Sequence, residues 1–353
     1  MPEAFLRIGT RTVAVCVFLL LIAGALVTST RSGLAVPDWP LSYGKVMPPM
    51  VGGILFEHGH RLIAAAVSTL VGLELGALLL LKGRKTVKVL ATAAFAAILL
   101  QALLGGLTVL FLLPPAISSA HAALAEIVFA LTAVVALMCS KTWMEISKRE
   151  ISPKVDAPRA DLPRTEAAAR PDSPSFSELP SSSSSSLPLP LEEDLRISSK
   201  DDGARRALRW TVVATAAVFL QIVVGAVMRH TGAGLAIPDF PTSFGRLFPS
   251  LEEFSRPGVF IHLAHRIGAV VVVVLVLRAA KSLSALPARF ATAGAAWVGL
   301  VCLQVFLGAA SIWSGKAVPL TVAHLAAGAL CWVTGVLISV ALAAGFSDKL
   351  ARD

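Results

Sequence analysis

The sequence predicts an all-α integral membrane protein with eight transmembrane helices, arranged as two pseudosymmetric four-helix bundles that form a parallel internal repeat. Three observations predict it. The 353 residues are 56% hydrophobic and only 15% charged, with a mean hydropathy of +0.76, whereas a soluble domain carries roughly 25% charged residues. Apolar runs of about twenty residues, enough to cross a bilayer, recur along the chain. The two halves repeat each other: "GALVTSTRSGLAVPDWPLSYGKVMP" begins at Gly24 and "GAVMRHTGAGLAIPDFPTSFGRLFP" at Gly225.

The spans are expected at 12–30, 60–81, 89–112, 120–140, 209–229, 260–280, 289–313 and 321–345. The first has the look of a secretory signal, with Arg7 and Arg11 before an apolar stretch, but the repeat argues that it is retained. Lysine and arginine mark one side. Arg7, Arg11, the run Lys82 to Lys88, Lys141, Lys148, Arg149, Arg205, Arg206, Arg209, the connector Arg278 to Arg289, Lys349 and Arg352 all fall there. The other side has only Arg31, Lys45, Arg229, Arg246, Arg256 and Lys316. The positive-inside rule then puts both termini in the cytoplasm and the loops 31–59, 113–120, 230–259 and 314–320 outside. The net charge of +9 is explained by these loops, so no nucleic-acid partner is implied and the lipid bilayer is the partner the composition demands.

Three regions follow. Residues 1–140 form an N-terminal four-helix bundle and 209–353 a C-terminal one. Between them, 141–208 includes "DSPSFSELPSSSSSSLPLPLEEDL", which has too little apolar content to fold alone and reads as a flexible cytoplasmic linker. The repeat offset is 201 at Gly24/Gly225, 205 at His60/His265 and 203 at His121/His324, so the match covers a whole four-helix unit. An even number of helices per half keeps both halves in one orientation. Cys16, Cys139, Cys302 and Cys331 lie inside apolar runs without a CxxC pair and read as packing residues.

A shorter echo is Gln-x-x-x-Gly: Gln101/Gly105, Gln221/Gly225 and Gln304/Gly308, with Leu20 in place of glutamine before Gly24. An amide and a small residue on one face suit close helix packing.

The histidines carry the chemistry. His60, His121, His265 and His324 sit near the outer ends of spans two, four, six and eight. One such residue would be unremarkable at an interface, but four at equivalent positions are hard to explain as packing. Helix bundles build cofactor sites from facing side chains, and imidazole is a standard axial ligand of haem iron. His60 with His121, and His265 with His324, would each clamp one macrocycle. A zinc or copper site needs three or four donors, and only Glu57 in one half or His262 in the other could join. A proton relay would need more acids than Glu57, Glu74 and Glu126, so a transporter is disfavoured. Arg61 and Arg266 follow His60 and His265; each could pair with a haem propionate or snorkel to lipid phosphate. His58 points to another helix face and reads as an outer-surface residue, and His230 falls in the outer-loop region. Asp38 and Asp239 sit in proline-bounded turns and read as loop structure.

These residues resemble the haem A synthase family, which serves cytochrome c oxidase assembly. The matching features are Glu57, His60 and Arg61 in E-x-x-H-R, then His121, the pair His265–Arg266, His324, the eight-span repeat and the "GLAVPDWP" loop. The resemblance implies oxidation of a methyl group of haem O to the formyl group of haem A. It implies that His60, His121 and Arg61 bind the substrate haem, with Glu57 catalytic. It further implies that His265, His324 and Arg266 hold a haem b that relays electrons, with His262, at the position of Glu57, a candidate contact. The four histidines would be the iron ligands. Some bacterial members have a cysteine pair in the first outer loop; this chain lacks it. The implied partners are a haem O-producing farnesyltransferase as haem donor and an electron donor such as quinol or a ferredoxin-like protein. The oligomeric state stays open, a homo-oligomer included. The short amino terminus leaves no room for a mitochondrial transit peptide, so a bacterial cytoplasmic membrane, with the haem sites near its outer face, is expected. The competing reading is a two-haem membrane electron carrier of cytochrome b type.

Overall fold

The computed structural model of the protein describes residues 2–81, 84–141, 143 and 190–347. Among these residues there are eight helices long and apolar enough to cross a membrane. They are α1 (Pro2–Ser29), α2 (Gly53–Leu80), α3 (Lys85–Leu110), α4 (Pro115–Met138), α5 (Pro190–His230), α6 (Val259–Leu283), α7 (Ala288–Trp313) and α8 (Val318–Ser347). A 3-10 turn (Ala233–Leu235) and a one-turn helix (Leu251–Phe254) decorate the long loop before α6. The only β-bridges among the described residues are isolated ones inside loops.

Local chemistry sets several boundaries. Pro115 at the first helical position of α4, and Pro287 just before α7, exploit a missing N–H that a helix start leaves unbonded anyway. The short helix at Leu251 carries a capping box between Ser250 and Glu253. Gly258 precedes α6 at φ +83°, and a Cβ there would meet the Ala233 methyl at 2.8 Å; only glycine satisfies both constraints.

Two expected boundaries move. α2 starts at Gly53 and not near residue 60, so the whole of Glu57 to Arg61 is helical. α5 starts at Pro190, so residues 190–208, expected as the end of the linker, are helical; the rest of that linker lies outside the described residues apart from 141 and 143. Local composition reads serine, proline and acids as unstructured, whereas the backbone here continues the helix that follows.

In the first half, α1 lies against α2 and α4, and α3 against α2 and α4. In the second half, α5 lies against α6 and α8, and α7 against α6 and α8. The halves meet along α4, α1, α5 and α8. The second half packs around fully buried Trp297, whose indole N–H donates to the Cys331 carbonyl at 2.9 Å. Val13, Val17, Val67, Val71, Ile98, Val128 and Phe129 of the first half share one cluster with Ala329 and Val333 of α8, so the seam is continuous with a core. Cys139 and Cys331 are buried, but Cys302 is exposed; the packing role expected of all four cysteines fails at that position.

Polar ties cross the seam as well. Arg229 on α5 donates to the Ala25 carbonyl at 2.9 Å and to Ser29 Oγ at 2.7 Å on α1. Trp332 on α8 donates to the Glu126 carbonyl on α4 at 3.1 Å. Hydrogen bonds from a charged donor are worth about 1.5–3 kcal/mol each. Arg229→Met is therefore expected to destabilise the seam by about 2 kcal/mol, read as a lower thermal midpoint in detergent with the helix content unchanged.

Candidate functional site

Each of the four repeat histidines rests on a glycine of the neighbouring helix. Ideal Cβ atoms show how close the seats are. At Gly24 on α1 it would lie 3.2 Å from His60 Cε1, and at Gly105 on α3 3.1 Å from His121 Cε1. At Gly225 on α5 and Gly308 on α7 it would lie 3.0 Å from Cε1 of His265 and of His324. These are the glycines of the Gln-x-x-x-Gly echo and its Leu20 variant. The echo does serve packing, but what it packs is an imidazole. In each half the two rings lie within electrostatic reach of one another, His60 of His121 and His265 of His324.

The glutamines of the echo hold the same histidines. Gln101 Nε2 donates to the His121 carbonyl at 2.9 Å, and Gln221 Nε2 to the His265 carbonyl at 2.7 Å. Gln221 Nε2 also lies 3.0 Å from His265 Nδ1, and His324 Nδ1 lies 3.0 Å from the Gln304 carbonyl. In the first half, Nδ1 of His60 and of His121 are buried and unpartnered.

Glu57 is turned to the loop between α1 and α2. It is 4% exposed. One carboxylate oxygen accepts the Val36 N–H at 2.8 Å and the other accepts from Arg61 Nη2 at 2.7 Å. Arg61 continues the clasp: Nη1 donates to the carbonyls of Asp38 (2.7 Å) and Leu41 (2.9 Å), and Nη2 to that of Val36 (3.3 Å). The terminal nitrogens of Arg61, which the sequence offers to a haem propionate or to lipid phosphate, gather loop carbonyls. Arg266 does the same for the second loop, donating to Thr242, Asp239 and Ile237 carbonyls, while its Nε is buried without a partner.

His262, 2% exposed, stands where Glu57 stands and does the same work: its Nδ1 accepts the Ile237 N–H at 3.2 Å. Val36 and Ile237 are equivalent in the repeat, so the acid and the imidazole are alternative acceptors for one backbone donor. His58 was expected on the outer surface. It is instead buried, its Nδ1 sharing a 2.7 Å hydrogen bond with Ser42 Oγ. The helix starts seven residues earlier than the apolar run suggests, so its first turns lie under the loop and not in water. His230 is the last residue of α5, within electrostatic reach of His121.

The loops that these side chains hold are copies of one another. Asp38 accepts from the N–H groups of Tyr43 and Gly44, and Asp239 from those of Phe244 and Gly245 and from Thr242 Oγ1. Both Trp39–Pro40 and Phe240–Pro241 are cis. Partial burial would raise the Asp239 carboxyl, but the Thr242 hydroxyl and the Gly245 and Phe244 amides outweigh it and hold the group at about 2. Each loop also sends an aromatic residue to the site. The Trp39 ring covers Gly106, where a Cβ would come within 2.6 Å of it. Phe240 packs edge-on against Trp313, whose indole N–H donates to the Phe240 carbonyl at 3.1 Å. Pattern reading took the loop aspartates for structure, which they are, but missed the aromatic covers. The signal available was the [WF] between aspartate and proline in both copies.

Among the described residues no group of three or more His, Cys, Asp or Glu side chains is placed to hold a metal ion. Two facing imidazoles on glycine seats need no third protein donor if the metal arrives in a macrocycle, and the buried, unpaired ring nitrogens of the first half belong to histidines with no structural use for their rings.

Fold and site together define a multi-pass helical membrane protein with two pairs of imidazoles on glycine seats and two matched loops. The COX15-CtaA family, described as cytochrome oxidase assembly protein, matches residues 189–336. A relative from Symbiobacterium thermophilum named "Heme A synthase" is 27% identical over 295 residues, 82% of this chain and 80% of its own. One of the same name from Geobacillus thermodenitrificans is 25% identical over 74% of this chain and 67% of its own. A third, from Bacillus pumilus, is 38% identical, but the match spans only 34% of this chain and 40% of that relative. The chain is thus similar, over its second half to the COX15-CtaA family and over most of its length to proteins named Heme A synthase.

Proposed function

We propose that the protein is a haem A synthase, a membrane oxidoreductase that converts a methyl group of haem O into the formyl group of haem A. The observation that carries this reading is the doubled histidine pair on glycine seats, in a chain whose relatives bear that name. The first half is the substrate site and the second holds a haem b that relays electrons. The two halves differ where such a division needs them to differ: both second-half rings have a partner at Nδ1, and both first-half rings lack one. A metal-bound imidazole donates its other ring N–H to an acceptor, and His324 Nδ1 has one in the Gln304 main-chain carbonyl, which suits a permanent cofactor in the second half.

His60 and His121 would hold the substrate haem and His265 and His324 the haem b, each through iron. Haem iron supplies the redox chemistry once bound; two hydroxylations and loss of water convert methyl to aldehyde. The chain's own residues bind and enclose. Gly24, Gly105, Gly225 and Gly308 set ring depth. Arg61 with Glu57, and Arg266 with His262, pin the loops, and Trp39 and Phe240 cover the outer end and exclude water. Glu57 acts at the mouth of the reacting half, balancing the Arg61 charge. Propionates would lie at this outer face, where the Arg266 Nε is the donor still free to meet one. Both termini then face the cytoplasm of a bacterial cell, with haem O delivered by the farnesyltransferase that makes it and electrons supplied by quinol or a ferredoxin-like protein.

Pigment extraction and chromatography of the purified protein test this. One haem b per chain together with haem O or haem A is the expected result. Haem b alone, at two per chain, would identify a cytochrome b-type carrier instead.

A further inference from the structure

Three cations gather where α5 ends beside α1, and none of them has an anionic partner. Arg229 uses Nη2 on the Ala25 carbonyl and on Ser29 Oγ, and Ser29 is two residues from Arg31. The Lys316 ammonium, in the α7–α8 loop, lies over Gly234, where a Cβ would be 3.3 Å from Nζ. Nε and Nη1 of Arg229, the Arg31 guanidinium and Lys316 Nζ make no hydrogen bond among the described residues, and none of the three side chains is in an ion pair there. Desolvation, then the charges of Arg229 and Arg31, lower the Lys316 pKa from its ordinary value. Like charges held this close repel, and together they attract an anion.

The repeat supplies an internal control. The equivalents of Arg31, Arg229 and Lys316 are Gly232, Thr28 and Leu113. Leu113 at φ +60° and Lys316 at φ +70° occupy the same turn. Leu113 rests on Gly33 as Lys316 rests on Gly234, each 3.3 Å from an ideal Cβ. The backbone is alike in both copies, and only one copy is charged. A packing requirement would act on both. The charged copy belongs with the second histidine pair, because Arg229 lies within electrostatic reach of His324.

We propose that Arg31, Arg229 and Lys316 form an oxyanion site that holds the propionate carboxylates of the second-half haem. The inference rests on the assignment of haem to His265 and His324. Arginine and lysine bind carboxylates through charge-assisted hydrogen bonds, and these three have donors to give. The terminal nitrogens of Arg61 and Arg266 are already committed to loop carbonyls. The first half, with Gly232, Thr28 and Leu113 at the equivalent positions, has no such clamp. The resident haem is thereby held by its carboxylates as well as its iron, and a haem that must enter and leave is not.

Haem loss from the full chain to excess apomyoglobin tests it. The chain is loaded once with haem b and once with its dimethyl ester, which has no free carboxylate. The second-half signal is the one that His324→Ala removes. Arg31→Gln plus Lys316→Gln should speed loss of haem b by about tenfold, the worth of two exposed charge contacts, and leave loss of the ester unchanged. Both side chains are exposed and free of hydrogen bonds, so the fold should hold. Loss of haem b at the unaltered rate, or equal acceleration for haem b and ester, would overturn the proposal. A variant that sheds co-purified phospholipid and keeps its haem b would overturn it in favour of a lipid phosphate. Should the variant not assemble, Thr28→Arg plus Leu113→Lys decides: it should slow release of the first-half haem, and unslowed release would overturn the proposal equally. An unaltered chain that takes up neither haem defeats the haem assignment itself. A chain holding two haems b defeats the synthase reading, yet the contrast between haem b and ester still decides the site.

Discussion

Gly225→Val and Gly308→Val should each remove the second-half haem spectrum although every histidine remains. At both positions a bare Cβ would already sit 3.0 Å from the Cε1 of its histidine, closer than nearly all real contacts of that kind. The two methyl groups of valine would extend into the ring. The histidine cannot retreat, because Gln221 and Gln304 tie it to the helix that carries the new side chain. Two outcomes are then open to the ring, rotation out of the site or separation of the helices, and both take the imidazole nitrogen off the haem axis. A loss of about tenfold or more in low-spin haem per chain is expected, with Gly→Ala variants in between. His265→Ala and His324→Ala set the floor of the measurement. A wild-type spectrum in Gly225→Val would show that the glycine is not a seat and that His265 reaches the haem from elsewhere.

The comparison between halves also shows what a single sequence can disclose. Span number, the internal repeat and the four histidines were legible, because hydropathy and self-similarity are written in the order of residues. The Gln-x-x-x-Gly echo was legible as a motif and not as a seat, since its target is a histidine on another helix, whose carbonyl the glutamine reaches 20 or 44 residues away. Glu57 and Arg61 were harder. Spacing places Glu57 near the face of His60, and chemistry offers Arg61 to a propionate. The backbone amides and carbonyls of the loop also compete for these groups. Val36, Asp38 and Leu41 win because a loop folded over a helix end must bond its own polar backbone before it can be buried. The same competition explains why His58 and His262 are interior. No periodicity announces a loop that folds back, and the burial of these two residues follows from it.

Exchanging the acceptor at residue 57 separates two roles that the sequence alone runs together. Glu57→Ala removes the acceptor of the Val36 N–H and leaves the Arg61 charge, only 16% exposed in its side chain, without its partner. Breaking a buried pair from one side costs more than the pair is worth; with part of Arg61 reaching solvent, a loss of about 2–3 kcal/mol is expected. The loop between α1 and α2 should become sensitive to protease and haem A formation should stall, while the second-half haem spectrum stays intact, because that half has its own loop and its own clasp. Glu57→His copies the arrangement already present at His262, where an imidazole accepts the Ile237 N–H and the terminal nitrogens of Arg266 donate to loop carbonyls. The copied clasp should restore protease resistance. If Glu57 works by holding the loop and Arg61 over the reacting half, Glu57→His should also recover most of the haem A formed, and that is the expected result. A protected loop with no haem A would show that the carboxylate itself takes part in the oxidation. The loop would then have to release Glu57 when substrate is bound, and Val36 and Arg61 would be the contacts that give way.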